Sequence, residues 1–160
     1  MALSARSRDW VMLAYRVPRE PSTPRIALWR RLKRLGVAHL GDGLVALPAD
    51  AKTREQLEWV AEEVVEAGGE AMLWIARPAT ASEERSLADR MAEAVAADYR
   101  AVIAAARAAE SKDASGRRRT LARLRRSLRA ISQRDYFPPP EREDAREAVE
   151  RLSGLVELIP

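Results

Sequence analysis

Prolines and glycines divide the first 78 residues into six short segments, and the order of these segments constrains the fold more than any other feature. β-forming residues dominate four of them, and two have the spacing of amphipathic helices. One Asp-Gly pair, Asp42-Gly43, favours a tight hairpin turn between two of the β-forming runs. In chain order the segments are a strand at 10–17, a helix from Thr23 to Gly36, strands at 37–40 and 44–48, a helix from Thr53 to Gly68 and a strand at 70–78.

The order strand, helix, strand, strand, helix, strand predicts an α+β domain. We expect a ferredoxin-like βαββαβ core over residues 9–79, with two helices on one face of a four-stranded antiparallel sheet. The remaining residues, 80–160, predict an extension of about three helices packed on this core. Each of these helices carries an apolar stripe at helical spacing, for example Leu121, Leu124 and Ile131 in the second.

Local signals predict where the helices of the core begin and which side they bury. Thr23 before Pro24 predicts an N-cap and a first helical residue, and Thr53 with Gln56 predicts a capping box. The wheel of the first helix predicts that Leu28, Trp29, Leu32 and Leu35 share its buried side. We expect most of the aromatic residues to anchor the core or an interface.

Composition excludes several kinds of chemistry. The chain has no cysteine and one histidine, so disulfides, thiolate metal sites and cysteine nucleophiles are excluded and a histidine base is disfavoured. We expect no metal, no cofactor and no enzymatic activity. No apolar run approaches the roughly 20 residues of a membrane span, and the N-terminus lacks a signal-peptide core. The sequence therefore predicts a cytoplasmic protein without a membrane partner.

Positive charge is concentrated in two blocks. Residues 1–36 hold nine Arg or Lys against two acids, and residues 117–134 hold eight arginines and no acid. Such blocks are typical of sites for a polyanion such as nucleic acid, and arginine favours phosphate contacts. The alternative is that the arginines are solvated or pair with acidic helices at 55–66 and 141–150, which would make the chain an interaction or dimerisation module.

Three motifs, read in order, resemble one known family. They are Tyr-Arg-Val-Pro-Arg-Glu-Pro from Tyr15, Trp-Arg-Arg-Leu-Lys-Arg-Leu-Gly from Trp29 and Arg-Asp-Tyr-Phe-Pro from Arg134. Together they resemble the N-terminal domain of the ChrB family, regulators of bacterial chromate-resistance operons. The resemblance implies operator DNA binding by residues of the first block, which are Arg16, Arg19, Arg30, Arg31, Lys33 and Arg34. A second candidate group for DNA contact is Arg118, Arg125, Arg126 and Arg129.

The resemblance also implies which partners to expect. We expect a homodimer, and chromate is a candidate effector, although members of the family continue into a second domain. The first eighty residues further resemble the core shared by PaaX-type repressors and CRISPR-associated spacer-acquisition nucleases. Those nucleases imply an aspartate metal ligand at the end of the first strand, where this chain has Tyr15 and Arg16. A cation there disfavours Mg²⁺, which leaves a degenerate metal-dependent nuclease as the less favoured alternative.

Overall fold

A computed structural model describes residues 8–158 of the chain, which form two compact units. The first unit ends at Ala88 and the second begins at Asp89. Within the described residues, no helix is long and apolar enough to cross a membrane.

The first unit contains a four-stranded antiparallel sheet. Its strands stand in the order β2-β3-β1-β4, and every neighbouring pair is antiparallel. This confirms the predicted α+β class and the predicted sheet. The elements are β1 (Trp10–Arg16), α1 (Ser22–Leu35), β2 (Ala38–Gly41), β3 (Leu44–Pro48), α2 (Ala51–Glu66), β4 (Glu70–Ala76) and the start of α3 (Ala81–Ala109).

The core of this unit lies between the sheet and its helices. Val11 and Leu13 alternate along β1 and are fully buried, as expected for the covered face of a strand. α2 packs on β1 and β4 and buries Leu57, Val60 and Val64, which recur at helical spacing. The amphipathic spacing predicted for this segment is therefore confirmed.

Both predicted helix starts are wrong by a few residues. α1 begins at Ser22 after Pro21, and no side chain caps it, so Thr23 is not the N-cap. α2 does have a capping box, but Asp50 is its N-cap and Thr53 is its third residue. The Thr53 hydroxyl also donates to the Pro48 carbonyl at 2.6 Å, which ties the start of α2 to the end of β3. Asp50 is the N-cap because its carboxylate accepts a hydrogen bond of 2.7 Å from the Thr53 N–H, one of the N–H groups that have no partner within the helix.

The tryptophans differ from expectation. Trp10 is buried at 1% exposure, but Trp29, Trp59 and Trp74 are 56%, 53% and 54% exposed. The prediction that Trp29 shares the buried side of α1 is wrong, because only Leu28 and Leu32 are buried there. The three exposed indoles are not core residues.

The second unit is helical. It comprises α3 from Asp89 onward, α4 (Ala114–Ser132) and α5 (Glu141–Glu157), with α4 packed on α5. α4 begins earlier than the basic block, at a turn in which Asp113 caps the helix by accepting from the Gly116 N–H at 2.8 Å. The predicted apolar stripes are confirmed by the buried cluster, which includes Val95, Tyr99, Val102, Leu121, Leu124, Ile131, Ala145, Val149 and Leu152.

A buried carboxylate joins α3 to the segment between α4 and α5. The side chain of Asp135 is fully buried and accepts a hydrogen bond of 2.8 Å from the Tyr99 hydroxyl, with Arg142 Nη1 3.9 Å away. Burial first, and then this bond to Asp135, raise the pKa of Tyr99 to about 12. The Arg-Asp-Tyr-Phe-Pro motif therefore has a structural role in this unit.

Replacing Tyr99 with phenylalanine should destabilise the protein by about 2 kcal/mol, since a hydrogen bond to a buried carboxylate is lost. Because the pKa of Tyr99 is higher folded than unfolded, the stability linked to this proton is complete below pH 10 and is lost as the pH rises toward 12. Urea unfolding followed by circular dichroism measures both effects. Tyr15→Phe is the matched control for the loss of stability at neutral pH, because the Tyr15 hydroxyl has no hydrogen bond within residues 8–158. Equal losses in the two variants would contradict the assigned role of Asp135.

Candidate functional site

An open cleft of about 950 Å³ lies where β1 ends and α1 begins. One side is the turn between β1 and α1 with the first turns of α1, and the other side is the β2–β3 turn. Basic, aromatic and apolar side chains line it together. They include Tyr15, Arg16, Arg19, Arg25, Ile26, Trp29, His39 and Asp42.

Gly43 holds the two sides of the cleft in place. Its backbone has φ of 73°, a conformation that favours glycine, and its carbonyl accepts from the Tyr15 N–H at 2.8 Å. A Cβ at this position would lie 2.4 Å from the Tyr15 carbonyl oxygen. The sequence Gly-Asp-Gly therefore allows the β2–β3 turn to approach the end of β1 closely. The pKa of Tyr15 is raised, first by burial and then by the negative charge of Asp42.

Three arginines give the cleft its positive charge. Arg16, Arg19 and Arg25 are exposed, and within residues 8–158 no carboxylate forms an ion pair with any of them. The first turn of α1 contains no acidic residue and no side-chain cap. Its free N–H groups therefore add partial positive charge beside these arginines.

The outer side of α1 continues this positive surface. Arg30 and Arg34 are exposed and form no ion pair within the part of the chain that the structure describes. Lys33 is exposed too, and its Nζ lies 5.1 Å from the centroid of the Trp29 ring, within cation–π range. We call Arg16, Arg19, Arg25, Arg30, Lys33 and Arg34 the α1 surface.

Arg31 differs from its neighbours. It forms a salt bridge and hydrogen bond with Glu63 of α2, and its side chain is only 28% exposed. The pair joins the two helices on the sheet. Of the six first-block residues predicted for DNA contact, five therefore lie on the α1 surface, and Arg31 has an internal partner.

Sequence reasoning missed Arg25 and His39. Arg25 belongs to the first basic block, and a signal was available, since it lies in the first turn of α1 after the Tyr-Arg-Val-Pro-Arg-Glu-Pro motif. His39 is an exposed residue of β2 that reaches the cleft only through the pairing of β2 with β3. No local pattern could have found it.

The second predicted group lies on α4, in the second unit. Arg118, Arg126 and Arg129 are exposed and form no ion pair among residues 8–158, whereas Arg125 Nη2 donates to Ser153 Oγ at 2.9 Å. The alternative, in which these arginines pair with acids of α5 in the same chain, is not found within that range. The basic block pairs instead through Arg134 with Asp98 of α3, at 3.0 Å.

The α+β fold and the α1 surface together define a class of protein in which cations without an ion pair among residues 8–158 lie beside a cleft that contains Tyr15 and Trp29, features suited to a polyanion. The chain belongs to the family described as Protein ChrB, N-terminal, whose model matches residues 25–157. This confirms the family that the motifs indicated.

One curated relative and one solved structure are similar to the chain. "Protein ChrB" of Cupriavidus metallidurans is 30% identical over 139 residues, which cover 84% of this chain and 42% of that protein. The chain thus spans less than half the length of this relative. The structure of uncharacterized protein Rv0674 from Mycobacterium tuberculosis matches with a TM-score of 0.55 and 15% identity, over 94% of this chain and 61% of that one. At this identity the match concerns the fold alone.

Proposed function

We propose that the chain is a DNA-binding regulatory module of the chromate-resistance type. The observation that carries the proposal is the α1 surface, where six cations lie on the end of β1, the following turn and α1 without an acidic partner among the described residues. Arg31, on the same helix, differs because it is paired with Glu63. Unpaired cations at close spacing suit the phosphates of a nucleic-acid backbone, where each contact releases a bound counterion.

The regulatory part of the proposal rests on membership of the ChrB family. Operator DNA is the proposed partner and chromate the candidate effector. Arg118, Arg126 and Arg129 are proposed as a second set of phosphate contacts, with a smaller share for Arg125 because Ser153 already holds it.

We also infer that the first unit is a ferredoxin-like domain. β3 stands between β1 and β2 and is antiparallel to both, which is the split βαβ arrangement, and β4 adds to the other side of β1. In the nucleases that share this core, an acid is expected at the end of the first strand. This chain has Tyr15 and Arg16 there, which supports a binding role without catalysis.

Fluorescence anisotropy tests the proposal. The chain is titrated against a labelled duplex from upstream of its own gene and against a scrambled duplex, across a salt series and with or without chromate. We expect tighter binding to the upstream duplex, with the logarithm of affinity falling by about 0.9 per phosphate contact for each decade of salt. A change of affinity with chromate would support an effector role for it.

No binding at low salt would contradict the proposal. It would favour the alternative of a protein-interaction or dimerisation module. Cleavage of the duplex that depends on added Mg²⁺ would instead favour the nuclease alternative.

A further inference from the structure

The outer edge of β4 is an open strand edge. β4 is the last strand of the sheet, and all seven of its residues pair with β1 on its inner side, from Trp10 opposite Ala76 to Arg16 opposite Glu70. Within residues 8–158, no strand pairs with its outer side. The backbone N–H and C=O groups that point outward there are available to another strand.

The other edge of the sheet is protected in the usual ways. β2 has only four residues, and its pairing with β3 is irregular between His39 and Gly41. Short and irregular edges resist pairing with another chain. β4 has neither device, since it contains no proline and no lysine and keeps a regular register along its whole length.

Apolar side chains surround the open edge on both faces of the sheet. Met72 and Trp74 lie on the same face of the sheet and are 58% and 54% exposed. Ile75 lies on the opposite face and is 52% exposed. Val65 of α2, also exposed, belongs to the same region. Glu63 pairs with Arg31 of α1, so it lies on the side of α2 that faces α1. Two residues along a helix amount to a rotation of about 200°. Val65 therefore lies on the side of α2 away from α1, toward β4.

We propose that β4 is a homodimer interface, in which the β4 strands of two copies pair antiparallel about a two-fold axis. Residues that face each other across an antiparallel pair point to the same side of the sheet, so the axis must pass midway between one residue and its own copy in the second strand. Only an axis at Leu73 pairs all seven residues, which places Met72 opposite Trp74 of the second copy and Ala71 opposite Ile75 of the second copy.

The β4 sequence suits this self-pairing. Glu70, the one charged residue of the strand, faces Ala76 of the second copy, so like charges do not meet. The axis runs perpendicular to the sheet, which extends to eight strands and keeps α1 and α2 of both copies on one side. Because the remaining edges are the protected β2 strands, assembly stops at two copies.

The dimer rests on the strand edge alone, but its consequence for DNA rests on the proposed function. Two α1 surfaces on one side of a continuous sheet could contact one duplex together, which raises affinity through effective concentration. Sedimentation equilibrium without DNA therefore tests the interface separately from DNA binding.

Trp74→Glu should convert the dimer to a monomer, raising the dissociation constant by at least about a hundredfold, because it places a charge inside the apolar edge. Trp59→Glu is the matched control, since Trp59 has nearly the same exposure but lies one turn before Glu63, on the side of α2 away from β4, and it should leave the dimer intact. A wild-type chain that is monomeric at every concentration, or a dimer that Trp74→Glu leaves unchanged, would overturn the proposal.

Cysteine cross-linking tests the register. The chain has no cysteine, so one introduced cysteine reports on a single position. Leu73→Cys should form a disulfide between copies under mild oxidation, since residues that face each other across the axis have Cα atoms about 5 Å apart, within disulfide range. Ile75→Cys should not, because its two copies would be more than about 13 Å apart along the strands. Cross-linking at Ile75 and not at Leu73 would overturn the proposed pairing.

Discussion

Replacing Arg30 and Arg34 together with glutamate should weaken DNA binding by about a hundredfold or more while leaving the fold intact. Both residues are exposed on the outer side of α1 and form no ion pair within residues 8–158, so reversing their charge breaks no internal contact. The reversal removes two phosphate contacts and adds repulsion. The salt dependence should fall as well, by about 0.9 in slope for each lost contact.

The control makes the same change of charge elsewhere. Arg85→Glu with Arg90→Glu alters two exposed arginines of α3 that are outside the α1 surface, and it should leave affinity within about twofold at moderate salt. Circular dichroism checks that both variants remain folded. Equal losses of affinity in the two variants would mean that net charge, rather than the α1 surface, determines binding.

Gly43→Ala should destabilise the protein by about 3 kcal/mol, the larger of the two effects on stability that we expect. The new methyl group would lie 2.4 Å from the Tyr15 carbonyl oxygen, and the backbone at this position has φ of 73°. A backbone oxygen cannot move aside as a side chain can. The β2–β3 turn must therefore shift away from β1, which opens the cleft and breaks the bond from Tyr15 N–H to the Gly43 carbonyl.

Gly41→Ala is the control in the same turn. A Cβ there has no atom within 4 Å, so urea unfolding should give a free energy within about 1 kcal/mol of wild type. Under conditions where both variants are folded, Gly43→Ala should bind DNA more weakly than Gly41→Ala. A stable Gly43→Ala variant with unchanged affinity would show that the close approach of the turn to β1 does not shape the site.

Sequence reasoning found the elements of the fold because their signals are local. The hairpin at Asp42-Gly43 and the stripe Leu57, Val60 and Val64 follow from neighbouring residues alone, and the structure contains both. The cap of α2 was misplaced because Asp50 and Thr53 are both good capping residues three positions apart. The reciprocal bonds between them decide which one caps, and the sequence does not reveal these bonds.

The site was only partly predictable, for a different reason. The arginines of α1 have similar surroundings in the sequence, yet Arg31 meets Glu63, 32 residues away, and Arg30 does not. The helical wheel places Trp29 beside Leu28 and Leu32, which are buried. It does not show how many neighbouring positions of the helix the rest of the protein covers, and Trp29 is exposed. His39 and Asp42 reach the cleft through strand pairing, which depends on contacts between distant segments.

The Arg31–Glu63 pair limits how α1 can vary among related proteins. A change of Arg31 or Glu63 alone leaves an unbalanced charge at the contact between α1 and α2, so the two positions should be replaced together. Arg30 and Arg34 carry no such constraint within the described residues. Each can be replaced alone in related proteins as their binding sites change. Neighbouring arginines of one helix can therefore have different evolutionary histories.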